Sequence, residues 1–221
     1  MEVGTMANLW DALGRKRVLV ITIGALLVAG IATSAAIWFG HDRPAQAATA
    51  SSATNQTNQA EAAAKSKPVG FSEFRSEQAG FGLAYPSTWT RLSTNDHQIL
   101  LLLSQGTQDS FLVRASELMQ PVGPQQLPAA QQMTDKIVTS NKSVQLITGP
   151  KQIELGGFPG FFYFYSFKDP ATGQEGAHSH FFLFNGKTMI SMVLQSLPKE
   201  HFSESAKTFD QIVGSFHALK K

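Results

Sequence analysis

The sequence predicts an α+β domain, a mainly antiparallel sheet sandwiched by helices, behind one transmembrane helix and a low-complexity linker. Three observations lead there. Phe161–Phe167 (FFYFYSF) and Phe181–Phe184 are apolar on both faces, so the sheet they form needs cover on both sides. Short links between successive strand-like runs make neighbouring strands antiparallel. Two segments with helical periodicity, separated by strands, supply the two covers.

The N-terminal third sets the topology. Val18–Phe39 (VLVITIGALLVAGIATSAAIWF) is a charge-free run of 22 residues. As a helix it is about 33 Å long, enough for a hydrocarbon core of about 30 Å. Arg15, Lys16 and Arg17 precede it, whereas Arg43 follows beside Asp42. The positive-inside rule therefore places residues 1–17 in the cytoplasm as a tail and everything after residue 39 outside. Trp38 and Phe39 fall where an interfacial aromatic belt forms. Small residues at Pro44–Ala48 also suit a signal peptidase, but the apolar run exceeds the 7–15 residues of a signal h-region. We read it as a signal anchor in the plasma membrane; a cleaved signal would leave the domain on the same side. Residues 40–70 are rich in Ala, Ser, Thr, Gln and Asn and lack the large apolar side chains of a core. As a coil, such a linker spans about 30 Å.

The globular domain, residues 71–221, carries 12 Lys/Arg and 12 Asp/Glu, so the basic character of the chain resides in its tail and linker. A neutral domain without a basic stripe argues against nucleic-acid binding. The absence of cysteine removes disulfides, thiolate chemistry, Fe–S clusters and lipoprotein anchoring. Phe74–Glu77 and Gly80–Tyr85 read as two short strands; Phe81, Leu83 and Tyr85 alternate, and Pro86 ends the second before a tight turn to Trp89. Ile99–Ser104 and Ser110–Ser116 form a hairpin around Gln105–Asp109. Pro124–Ser140 is helical, with Pro128 in its first turn and Ala130, Met133 and Ile137 on one face. Val144–Thr148 and Gln152–Leu155 are strands, Gly156–Gly160 a turn, and Phe161–Phe167 the next strand. Phe181–Phe184 and Thr188–Leu194 pair through Asn185–Gly186, a strong two-residue hairpin signal. A last helix begins near Pro198, with Phe202, Phe209, Ile212, Val213 and Phe216 as its apolar stripe.

Three of these segments resemble, in order, the motifs of PsbP-like domains. Gly80–Pro86 followed by Trp89 is similar to their opening, Ile153–Gly160 to their mid-domain strand turn, and Phe209–Phe216 to their closing helix end. The wider group includes the photosystem II extrinsic protein PsbP and the bacterial DcrB and LpqN families. The resemblance covers about 150 residues and implies an α/β/α sandwich with a central mainly antiparallel sheet. The matched positions are aromatic, Gly and Pro, so the resemblance carries no functional residue with it. It implies a binding or assembly module. This chain has an anchor and linker where plant PsbP has a transit peptide and a short extension.

Candidate chemistry is sparse. His178 and His180, at i and i+2 on a strand, face one side and are the one pair placed to share a metal; exposed or hydrogen-bonding histidines are the plainer reading. Asn95–Asp96–His97 lies in a loop, and Asp169–Pro170 with Gly173 is turn chemistry. Phe158–Phe167 either lines an apolar ligand pocket or packs the core. Gly156–Gly157 is not a phosphate loop, and neither Gly-x-Ser-x-Gly nor His-Glu-x-x-His occurs. The expectation is a non-catalytic module, with no enzyme activity and no cofactor, that binds a protein or envelope partner. A small-ligand or lipid-binding domain and a photosystem-associated accessory protein are the alternatives.

Overall fold

The computed structural model describes residues 68–220, so the expected tail, spanning segment and most of the linker lie outside the described residues. Among the described residues no helix is long and apolar enough to cross a membrane. The alternating run at the start becomes a hairpin of β1 (Phe71–Ser76) and β2 (Phe81–Pro86), paired from Phe71 with Pro86 to Ser76 with Phe81. The short strand β9 (His217–Ala218) joins the other edge of β2, giving a small sheet ordered β1-β2-β9. The remaining strands are β3 (Thr90–Arg91), β4 (Ile99–Gln105), β5 (Asp109–Val122), β6 (Gln145–Leu155), β7 (Phe158–Lys168) and β8 (Glu175–Ser196). They form a larger antiparallel sheet in the order β3-β4-β5-β8-β7-β6.

β8 is folded on itself. Its residues 175–183 pair with β7, and its residues 186–196 pair with β5. A straight strand would hold Gly176 and Ser196 about 65 Å apart. Instead a methyl group at Gly176 would sit 3.2 Å from the Ser196 carbonyl oxygen, and His178 reaches Gln195 at 2.7 Å. The reversal falls at Asn185–Gly186, with Gly186 at φ +58°, the left-handed geometry that a tight two-residue turn requires. The hairpin expected from this dipeptide is therefore present. Its two arms occupy the centre of the sheet.

Helix α1 (Leu127–Thr139) covers one face and α2 (Phe202–Gly214) the other. On the α1 side Leu127, Ala130 and Val138 meet Phe161, Tyr163, Phe182 and Phe184. On the α2 side Phe209 and Ile212 close over Leu183, Ile190 and Leu194, together with Phe81 and Leu83 of the small sheet. The cover on that side is thus a helix plus a second sheet, not a helix alone. Ser215, which caps α2, accepts the Ala84 N–H at 2.7 Å and so fixes the helix end to β2.

Several boundaries differ from the sequence reading. β5 runs on to Val122, and the two strands expected at 144–155 are one, β6, whose register shifts between Leu146 and Thr148 and again across Gly149–Pro150. The turn expected over Gly156–Gly160 is only Gly156–Gly157; Phe158, Pro159 and Gly160 already pair with Leu155, Glu154 and Ile153. Helix α1 points Thr134 at the sheet, with Met133 and Ile137 at the margin, because the Thr134 hydroxyl meets Tyr163. Phe216 lies past the end of α2, where it stacks on Phe81 with ring centroids 5.1 Å apart.

Gly160 is glycine for a reason other than a turn. A β-carbon there would lie 2.0 Å from the Phe182 carbonyl oxygen, a backbone atom that cannot move aside. Gly160→Ala is expected to lower the unfolding free energy by at least about 3 kcal/mol in urea titrations, since overpacking against backbone has no cheap relief. Gly214→Ala, where the added methyl meets open space at an exposed helix end, is expected to change it by less than about 1 kcal/mol.

Candidate functional site

The α1 side of the central hairpin carries polar tips on otherwise apolar strands. Period-2 alternation puts Tyr163 and Tyr165 of β7 on this face, beside His178 and His180 of the first β8 arm and Ser191 and Gln195 of the second. Water is shut out: His178 is 4% exposed and His180 1%. Buried polar groups there must find partners or destabilise the fold.

They do find them. The Tyr165 hydroxyl lies 3.2 Å from His178 Nδ1 and 3.0 Å from His180 Nδ1. The far nitrogens are also engaged, His178 Nε2 with Gln195 Oε1 and His180 Nε2 with Ser191 Oγ, each at 2.7 Å. Beside this chain the Tyr163 hydroxyl donates to Asp135 Oδ1 and meets Thr134 Oγ1, both at 2.7 Å, tying α1 to β7. The His180 ring also stacks on Phe182 at 3.9 Å between centroids. Burial lowers the pKa of His178 to about 4, against a smaller upward pull from Gln195. Burial, and then the proximity of His178, hold His180 well below the usual imidazole range. Burial raises both tyrosines above their ordinary value. At neutral pH this is an uncharged hydrogen-bonded chain.

His178 and His180 do face one side, as the strand period requires, and they are the hydrogen-bonding histidines of the plainer reading; neither is exposed. A metal would need the position that the Tyr165 hydroxyl fills between the two Nδ1 atoms. Among the described residues no group of three or more His, Asp or Glu side chains is placed to hold a metal ion.

The other candidates separate. Asp96 pairs with Arg114 Nη2 at 2.9 Å and accepts the Gln98 N–H, while His97 is exposed, so these two form no dyad. Asp169 closes its turn through Thr172, as expected, and its second carboxylate oxygen is buried without a partner. The aromatic run 158–167 divides between the layers: Phe161, Tyr163 and Tyr165 face α1, whereas Phe164 packs on Phe202 near α2. Asp109 carried no signal in the sequence. It is buried, and it accepts hydroxyl hydrogens from Ser196 at 2.6 Å and from Ser205 in α2, residues distant in the chain. The tyrosines, Ser191 and Gln195 were also missed; the only hint was two Tyr at i, i+2 in the run FFYFYSF.

No family model matches the chain, and no curated protein matches it in sequence. Solved structures do. Cyanobacterial PsbP (CyanoP) from Synechocystis superposes with a TM-score of 0.55 at 14% identity, covering 70% of this chain and 95% of that one. LpqN of Mycobacterium tuberculosis, described as involved in cell envelope biogenesis, gives 0.52 at 11% identity, covering 68% and 92%. The fold is PsbP-like.

With both facing imidazole nitrogens occupied by one hydroxyl, titration calorimetry with micromolar zinc is expected to give no binding heat. A saturable heat that disappears in His178→Gln would contradict this.

Proposed function

We propose that the chain is a membrane-anchored, extracytoplasmic binding or assembly module without catalytic activity, acting on a protein or envelope partner. The observation that carries this reading is the charge-free run Val18–Phe39 behind Arg15, Lys16 and Arg17, joined to the folded domain by a linker too polar to fold alone. The domain's interior supports the non-catalytic part. Its histidines and tyrosines are brought together inside a layer, bonded to one another, whereas a reactive site needs such groups facing a cleft. LpqN, which shares the fold, is described as involved in cell envelope biogenesis, the setting an anchored external domain would occupy. Fold alone does not transfer that role.

Two measurements on expressing bacterial cells test the topology. Protease added to intact spheroplasts is expected to digest the C-terminal domain, and alkaline carbonate is expected to leave the full-length chain in the membrane pellet. Protection of the domain in intact spheroplasts would overturn the orientation. Release of a shortened chain would show that the segment is cut as a signal peptide.

A further inference from the structure

Five side chains stand in a row on the α1 side of the sheet: Ser191, His180, Tyr165, His178 and Gln195. Four links join them, and each link requires one hydrogen. With both imidazoles neutral the row holds one hydrogen on Ser191, one on Tyr165 and one on each ring, four in all, because Gln195 faces it through a carbonyl oxygen. That oxygen can only accept, so His178 donates from Nε2 and its Nδ1 accepts from Tyr165. Tyr165, having donated, accepts from His180 Nδ1–H, and His180 Nε2 accepts from Ser191. One arrangement satisfies every atom, and it makes the two histidines opposite tautomers. A fifth proton finds no link. It leaves one hydrogen of the row without an acceptor in a layer from which water is excluded, and it places a charge there.

We propose that this row is an acid-sensitive latch between β7 and the two arms of β8, closed while it holds four hydrogens and opened by a fifth. The surroundings offer an added charge little relief. Asp135 of α1 is bonded to Tyr163 rather than to either ring. Arg114 of β5 lies opposite Ser191 in the ladder and is paired with Asp96. Tyr163, the titratable neighbour of the row on β7, is bonded to Asp135 and Thr134.

The sign follows from linkage. Both histidines have native pKa values depressed by burial, His178 to about 4, while the unfolded or opened chain takes up protons near 6.5. The latch therefore contributes fully above about pH 6.5 and is lost progressively as the pH falls toward 4. Well below pH 6.5 each proton taken up on opening changes the opening equilibrium by up to about tenfold per pH unit, and two by up to about 100-fold.

Hydrogen exchange on the full-length chain, in detergent, with intrinsic rates corrected for pH, reads this directly. Protection of β7 and β8 amides is expected to fall between about fivefold and 30-fold from pH 6.5 to 5.5. In the double variant His178→Gln, His180→Gln the fall over the same interval is expected to shrink to less than about threefold. His41, His97, His201 and His217 remain in that variant and control for their own titration. Should the variant fail to fold, imidazole nitrogen spectra of the native chain at pH 7 still decide: opposite tautomers at His178 and His180 are expected. Identical tautomers, a charged ring at pH 6.5, or protection in the native chain that does not change between pH 6.5 and 5.5 would each overturn the proposal. An undiminished fall in a folded double variant would overturn it as well.

Discussion

The structure turns on two-sided burial of the β8 hairpin and its neighbour β7. A strand at a sheet surface can leave one face wet; these cannot, because successive residues such as Phe182 and Leu183 lie under different layers and are both buried. One layer is α2 with the small sheet, held in place by Ser215 on β2 and by Asp109 receiving Ser205. The other is α1, whose Thr134 and Asp135 are held by Tyr163. Each connection joins residues far apart in sequence, so the layers and the central sheet depend on one another.

Burial on both faces also explains why the polar residues behave differently on the two sides. On the α2 side the second arm presents Ile190, Met192 and Leu194 to apolar packing, and Ser196 at its end is met by Asp109. On the α1 side it presents Ser191 and Gln195 against two histidines and two tyrosines. Leaving any of those groups unpaired costs about 1–3 kcal/mol, so their mutual satisfaction is a condition of burying the face at all. Such a network specifies register strictly: a one-residue slip of the first β8 arm would turn the histidines toward the apolar layer and bring Ser179 and Phe181 to face Ser191 and Gln195.

How much of this was legible in the sequence depends on the range of the cause. Local causes could be read. Asn185–Gly186 marked its hairpin because few dipeptides fit the turn, and the alternation of Phe81, Leu83 and Tyr85 marked a half-buried strand. Gly160 was misread because a glycine needed for close strand approach looks, in sequence, like a glycine needed for a turn. Thr134 escaped because hydrophobic periodicity does not register a residue buried for its hydroxyl. The separate small sheet escaped because it depends on a two-residue strand, β9. The histidine pair was visible, but not its burial or its partners. Those follow from the register of β7 against both arms of β8, which pairs residues that are neighbours only after folding.

A chain of side chains that acts as one unit is the feature from which the packing of the α1 face, the tautomers and the response to acid all follow. The most direct test is a double-mutant cycle with Tyr165→Phe and Gln195→Leu, two residues joined only through His178. Unfolding free energies of the native chain, the two single variants and the double variant at pH 7.5 give the coupling. A coupling of about 1 kcal/mol or more is expected, within the range found for residues that share one hydrogen-bond network. Additivity within about 0.4 kcal/mol would mean that the links are independent, and would contradict a single cooperative chain.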